Sequence, residues 1–310
     1  MRFWRNAPRI SANTHAAPES MVTLHYWLLA ARPKTLVVTI TPLIVGGTLA
    51  HVDTGTFLWL PWLTALLAAM GIQIGTNLHN DAADFERGTD TPDRLGPQRA
   101  TAQGWLSPQS VRRGAYSCFA IAFLLGIYLA WIGGWPIVAL GLVSLACGYA
   151  YTGGPRPIAY TPLGEMFVLL FFGLAAVGGT FYLQTLTLSA ATLIAGLGVG
   201  LPAAAVLVIN NYRDLDTDRR AGKHTLTSYI GRPASRHLYS AMLLLPLALG
   251  LLLVPHASLR WLPWLALPMA LWLMHQLWTL PIDQRLNVLL ARPAQYQLLY
   301  GVLLCSALLA

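Results

Sequence analysis

The stretch MFVLLFFGLAAVGGTFYLQTLTLSAATLIAGLGVGLPAAAVLVINNY, residues 166–212, contains no Asp, Glu, Lys or Arg. A hydrocarbon core about 30 Å thick is crossed by about 20 helical residues. The stretch is therefore long enough for two membrane-spanning helices, with a break where Gln184, Thr185, Thr187 and Ser189 gather. Uncharged runs at 35–52, 54–80 and 293–310 give one span each, and 114–155 gives two, broken at Gly133-Gly134-Trp135-Pro136. The run 237–282, interrupted only by Arg260, gives two more, broken at 255–260. Nine spans result.

Composition agrees. Of 310 residues, 55% are hydrophobic and 10% charged, against about 25% charged in soluble domains, and mean hydropathy is +0.54. A water-soluble globule, a disordered chain and a collagen-like chain are excluded. Cys118, Cys147 and Cys305 are odd in number and set in apolar runs, which excludes a disulfide framework. The expected fold is an all-α polytopic membrane protein. Residues 1–20 carry Arg2, Arg5 and Arg9 with no apolar core directly behind them, unlike a cleaved signal peptide. They read as a cytoplasmic extension, and 21–310 as one transmembrane domain. Within it, 21–31 lies on or enters the membrane, and Pro33 opens the first span.

The net charge of +8 reads as topology rather than as affinity for nucleic acid. With nine spans, nineteen of the twenty Lys and Arg fall on one side, and Arg260 alone on the other. Basic residues resist translocation, so the rich side is cytoplasmic. That places the N-terminus inside and Ala310 outside.

The acids gather in two segments. One is NLHNDAADFERGTD (77–90) and the other NNYRDLDTDRRAGK (210–223); each closes a long apolar span on the cytoplasmic side. Asn80 and Asp84 are four residues apart, as are Asn210, Asp214 and Asp218, so each set shares a helical face. Asp81 and Asp216 point elsewhere. Gly88 stops the first helix, and Asp90 follows in a loop free to fold back. Stacked carboxylates repel, more so near lipid, and hard oxygen ligands suit Mg²⁺ shared with phosphate oxygens. Two acidic faces suggest two ions on one diphosphate. Lys34, Arg94, Arg99, Arg219 and Lys223 flank the motifs and are candidate phosphate ligands, with Arg32 beside them.

At these residues the chain resembles the UbiA superfamily of intramembrane aromatic prenyltransferases. The resemblance is carried by ARPKTL (31–36), by 77–90 with DRLGP (93–97), by YTGGPRP (151–157), by LGE (163–165) and by NNYRDLDTDRRAGKHTL (210–226). It runs from about 25 to 235; the last three spans match only in hydrophobicity. It implies nine helices around a central cavity, with Mg²⁺ held by Asn80, Asp84 and Asp90 and by Asn210, Asp214 and Asp218. It also implies a polyprenyl diphosphate donor and an aromatic acceptor, most like the menaquinone-pathway branch that uses 1,4-dihydroxy-2-naphthoate in a bacterial cytoplasmic membrane. Asp84 and Asp214 are then catalytic, Tyr151 faces the developing prenyl cation, and Arg156 meets the diphosphate or the acceptor carboxylate. Two positions depart from the family pattern: Gly88 stands where many members carry a third acid, and Glu165 where an Asp is common. A 4-hydroxybenzoate acceptor and a divalent-cation transporter are the alternatives. A transporter needs acids at mid-membrane, and here they cluster at one mouth. The frequent glycines, including Gly71 and Gly75, predict closely packed helices. The two motif-bearing spans also look like a weak internal repeat of four-helix halves with a ninth helix added.

Overall fold

The computed structural model describes residues 19–90, 95–254, 256 and 258–310. Among them every regular element is helical. Helix α1 is Glu19–Ala31 and α2 is Pro33–Thr54, joined by Arg32 in a left-handed conformation (φ 55°, ψ 62°). That conformation costs a non-glycine residue about 1–2 kcal/mol, and the turn it makes sets α1 and α2 as separate rods, with Pro33 at the start of α2. Helix α3 is Trp59–Glu86 and α4 is Pro108–Ala150. Helix α4 is two arms broken at Gly134 (φ 63°, ψ −154°), with Pro136 just beyond. Only glycine readily adopts that backbone. Helix α5, Gly164–Thr185, carries one π-helical segment at Leu170–Ala175. Then come α6, Ala190–Arg220, and α7, Leu226–Leu253, kinked at Gly231. Helix α8, Leu267–Thr279, is led in by a 3₁₀ turn at Leu262–Ala266, and α9 is Arg292–Leu309.

Six of these helices are long and apolar enough to cross a membrane. With the arms of α4 taken separately, and the shorter α8 and α9 added, nine rods follow α1 among the described residues, the number that the sequence predicts. Two of the predicted breaks are sharp backbone turns, one at Gly134 and one at Leu186, which is left-handed between α5 and α6. The rods carry side chains such as Leu124, Trp131 and Trp135 on their outer faces. In water that surface would aggregate; against lipid it is the ordinary outside of a spanning bundle.

The core lies among α2, α5, α6, α7, α8 and α9, where Val45, Val177, Val199, Tyr212, Tyr239, Leu273, Tyr296 and Tyr300 are buried. Small residues allow the close crossings. A Cβ at Gly173 on α5 would sit 2.4 Å from the Gly196 carbonyl oxygen and 2.8 Å from the Gly200 Cα on α6. A Cβ at Gly75 would strike the Phe119 ring at 2.8 Å. Between α3, both arms of α4, and α5 lies an apolar cavity of about 470 Å³, walled by Ala65, Ala68, Ile72, Gly126, Leu140 and Phe171 among others.

Candidate active site

Helices α3 and α6 do not stop where their apolar runs stop. Each continues through its acidic motif, α3 to Glu86 and α6 to Arg220. Gly88 (φ 67°) and Gly222 (φ 73°) then terminate them with the positive φ that favours glycine. The acids thus ride on rigid helical ends, and four-residue spacing becomes a shared face.

On α3, the Asn80 amide donates to Asp84 Oδ2 at 3.1 Å. Asn80 Oδ1 accepts from Arg32 Nη2 at 2.9 Å and from Arg99 Nη1. Arg99 is buried; its Nη2 lies 3.1 Å from Asp84 Oδ2 and its Nε 3.5 Å from Asp90 Oδ1. Asp90 therefore folds back onto the first motif, as the position after Gly88 allows. Burial alone would lower the Arg99 pKa; Asp84 and Asp90, then Asp81 and Asp214, outweigh it and raise it. Asp84 Oδ1 also accepts from the Tyr160 hydroxyl at 3.0 Å. Burial, and then the Asp84 charge, push that phenol up to about 12.

On α6, Arg213 grips its neighbour Asp214 with Nε at 2.7 Å and Nη2 at 2.5 Å, and Asn210 Oδ1 with Nη2 at 3.2 Å. Its Nη1 donates to Asn287 Oδ1 at 2.8 Å, and Asn287 Nδ2 donates to the Leu95 carbonyl at 2.8 Å. Asn287 lies in a 3₁₀ turn, Gln284–Leu289, between α8 and α9. It joins the second motif to the loop behind the first.

The motifs meet at Lys223. Its Nζ lies 3.7 Å from Asp84 Oδ2 and 3.9 Å from Asp218 Oδ1. One ammonium thus touches both acidic faces. Asp81 and Asp216 do point elsewhere. Asp81 accepts from the backbone N–H groups of Ala100 and Thr101, both at 3.1 Å, and fixes the loop carrying Arg99. Asp216 pairs at the surface with Arg232 at 2.9 Å.

The other predicted bases among the described residues do not join this cluster. The side chains of Lys34 and Arg156 are exposed and make no hydrogen bond or ion pair among the described residues, and Arg219 donates to the Ser228 carbonyl at 2.8 Å. Arg94 lies outside the described residues. Tyr151 caps α4; burial, and then the Glu165 carboxylate, raise its pKa, with Arg32, Asp84 and Arg99 also acting on it. Glu165 is buried, with Oε1 accepting from Asn211 Nδ2 at 2.8 Å and Oε2 without a partner among the described residues.

The donor set is hard oxygen, which fits Mg²⁺. Among the described residues no three acidic, His or Cys side chains are grouped as a closed protein cage requires. Mg²⁺ usually needs no such cage, since substrate phosphates and water complete its shell. Positively charged nitrogens already stand against these oxygens, so the positions accept cations.

A model of the UbiA prenyltransferase family matches residues 39–289. The chain belongs to that family. Among curated relatives, the 1,4-dihydroxy-2-naphthoate octaprenyltransferase of Escherichia coli (strain K12) is 38% identical, over 78% of this chain and 82% of that protein. The enzyme of the same name from Haemophilus influenzae is 33% identical, over 92% of this chain and 96% of that one. That from Mycobacterium tuberculosis is 38% identical, over 72% and 76%. Among solved structures, a UbiA homolog from Archaeoglobus fulgidus bound to GPP and Mg²⁺ superposes with a TM-score of 0.64 at 14% identity, over 92% of this chain and 100% of that one. The apo UbiA homolog from Aeropyrum pernix K1 gives 0.63 at 15%, over 88% and 96%. The UbiA fold is thus shared across low identity.

Proposed function

We propose that this chain transfers a polyprenyl group from polyprenyl diphosphate to 1,4-dihydroxy-2-naphthoate, releasing diphosphate and CO2. The observation that carries the reading is Lys223 standing between Asp84 and Asp218, which makes one cation-binding mouth of two motifs. The relatives that act on 1,4-dihydroxy-2-naphthoate support the acceptor. The nineteen-to-one distribution of basic residues supports a mouth that opens at the cytoplasmic face of a bacterial inner membrane.

Asn80, Asp84 and Asp90, with Asn210, Asp214 and Asp218, would hold Mg²⁺, which when bound neutralises charge on the departing diphosphate. Arg99 and Lys223 bind the phosphate oxygens that remain. The apolar cavity among α3, α4 and α5 offers room for an isoprenoid tail. Tyr151 would present a ring beside the carbon that becomes electron-poor. The acceptor's 2-carbon attacks the prenyl C1 as the C1–oxygen bond breaks. The neighbouring hydroxyl gives its proton to water as its oxygen becomes a ketone; the resulting β-keto carboxylate loses CO2 and, taking a proton back on that oxygen, regains its aromatic ring. Glu165 Oε2, buried and without a donor among the described residues, would accept a hydrogen bond from the acceptor's hydroxyl.

The test is purified protein in detergent with Mg²⁺, a polyprenyl diphosphate and single aromatic acids. Prenylated naphthoquinol with stoichiometric diphosphate and CO2 is the expected result. Product from 4-hydroxybenzoate alone would move the acceptor, and Mg²⁺ uptake into vesicles without any product would overturn the enzyme reading.

A further inference from the structure

Each predicted metal ligand is already held by a basic side chain. Asn80 takes Arg32 and Arg99; Asp84 takes Arg99 and Lys223; Asp90 takes Arg99. Asp218 takes Lys223, and Asp214 and Asn210 take Arg213. Among the described residues, four carboxylates (Asp84, Asp90, Asp214, Asp218) thus stand with four bases (Arg32, Arg99, Arg213, Lys223), and the charges of these eight side chains balance.

Neutrality constrains what can enter. Near lipid the effective dielectric is low, and an uncompensated charge is expensive. A divalent cation arriving alone would meet bases already seated on its ligands. A diphosphate arriving alone would meet the carboxylates. Arriving together, the anion draws the bases toward itself and frees the carboxylates for the metal.

The bases differ in how firmly they are seated. Arg213 is fully buried and hydrogen-bonded through Nε, Nη1 and Nη2. Arg99 leaves Nε without a hydrogen bond among the described residues, and it sits on an irregular loop. Lys223 stands 3.7 and 3.9 Å from its carboxylates, beyond the 2.7–3.2 Å of a hydrogen bond. It follows Gly222 at the end of α6, on a long flexible stem, and its Nζ lies 4.7 Å from the centre of the Tyr160 ring.

We propose that Arg99 and Lys223 are exchangeable counter-ions that hold the carboxylates until substrate arrives and then pass to its phosphate oxygens, so that divalent metal and diphosphate load as a unit. Arg213 stays on Asp214 throughout, since each Asp214 oxygen that it engages keeps a second lone pair for the metal. The proposal rests on the diphosphate reading above and adds an order of loading to it.

Equilibrium dialysis of the purified full-length chain in detergent against Mn²⁺, with and without inorganic pyrophosphate, reads the coupling directly. Metal is measured on both sides of the dialysis membrane, so its complex with pyrophosphate in solution cancels. Wild-type protein should retain little Mn²⁺ alone, and its apparent affinity should rise about 10–100-fold with pyrophosphate, the usual range of binding coupling. Lys223→Met and Arg99→Met should each bind Mn²⁺ alone more tightly than wild type and lose part of the pyrophosphate effect. Lys223→Arg and Arg99→Lys, which keep the charge, should restore the wild-type pattern. Equal Mn²⁺ affinity with and without pyrophosphate in wild type overturns the proposal, as do Met variants that bind metal alone no better than wild type. Because the wild-type comparison requires no variant, it stands even where a substitution fails to fold. Wild-type protein that retains Mn²⁺ under neither condition removes the diphosphate reading itself.

Discussion

Asp84 is the most heavily engaged acid among the described residues: Asn80, Arg99, Tyr160 and Lys223 all reach it. Asp216, two residues from Asp214, has surface Arg232 as its partner among the described residues. Asp84→Ala or Asp214→Ala should therefore abolish turnover, by about 10³-fold or more, as expected where charge in the transition state is left unmatched. Asp216→Ala should stay within a few-fold, since exposed ion pairs contribute about 0–1 kcal/mol. Steady-state assays of the three variants decide this, and equal loss at Asp216 would refute the facial argument. Tyr160 makes a second prediction. Its pKa rises from 10.0 to about 12 on folding, so the folded state holds the phenolic proton more tightly than the unfolded chain. That stabilisation is complete below pH 10 and is lost as pH rises toward 12. Melting temperatures measured from pH 9 to 12 should fall more steeply for wild type than for Tyr160→Phe. The acids themselves were legible in the sequence because four-residue spacing is a geometric statement. Arg213 and Tyr160 were not: an arginine next to an aspartate reads as topology, and a lone tyrosine in a Gly/Pro-rich loop has no pattern to betray it. Asn287 lies beyond the stretch, about 25–235, whose residues carried the resemblance, although the family model reaches residue 289. Of the bases predicted from proximity along the chain, Arg99 and Lys223 reach the acids while Lys34, Arg156 and Arg219 face outward, because distance along the chain says nothing about direction.

Among the elements, the pair α5 and α6 carries Glu165 and the second motif toward one another. Its closeness depends on Gly173, Gly196 and Gly200. Gly173→Val would set a branched side chain against backbone that cannot move aside, at a cost of roughly 1–3 kcal/mol for overpacking. A lower melting temperature in detergent, together with reduced turnover, is the expected result. Gly126→Ala, where an added Cβ meets nothing within 4 Å, is the control for the melting temperature and should leave it unchanged or slightly raised. Span number and the two sharp breaks were readable because apolar length and the Gly-Gly-Trp-Pro cluster are local signals. The π-helical segment in α5 was not, since it answers to a packing partner distant in sequence.

For the whole molecule, the strongest sequence signal was the lopsided placement of Lys and Arg. It predicts that the C-terminus faces away from the cytoplasm. Alkaline phosphatase fused after Ala310 should be active, and green fluorescent protein at the same place should be dark; the reverse pattern would invert the topology. That the two acidic faces share one diphosphate was expected from their chemistry; the contact that joins them, Lys223 between Asp84 and Asp218, leaves no trace in spacing.

The bridge from Arg213 through Asn287 to the Leu95 carbonyl ties the turn ahead of the last helix to the second motif and to the loop behind the first. Two four-helix halves standing alone would possess both sets of carboxylates yet lack this clasp between one and the other. The closing segment, which carries neither acidic motif, is in this sense a buckle: shortening the chain before α8 should leave a protein that inserts in the bilayer with its ligands intact and out of register.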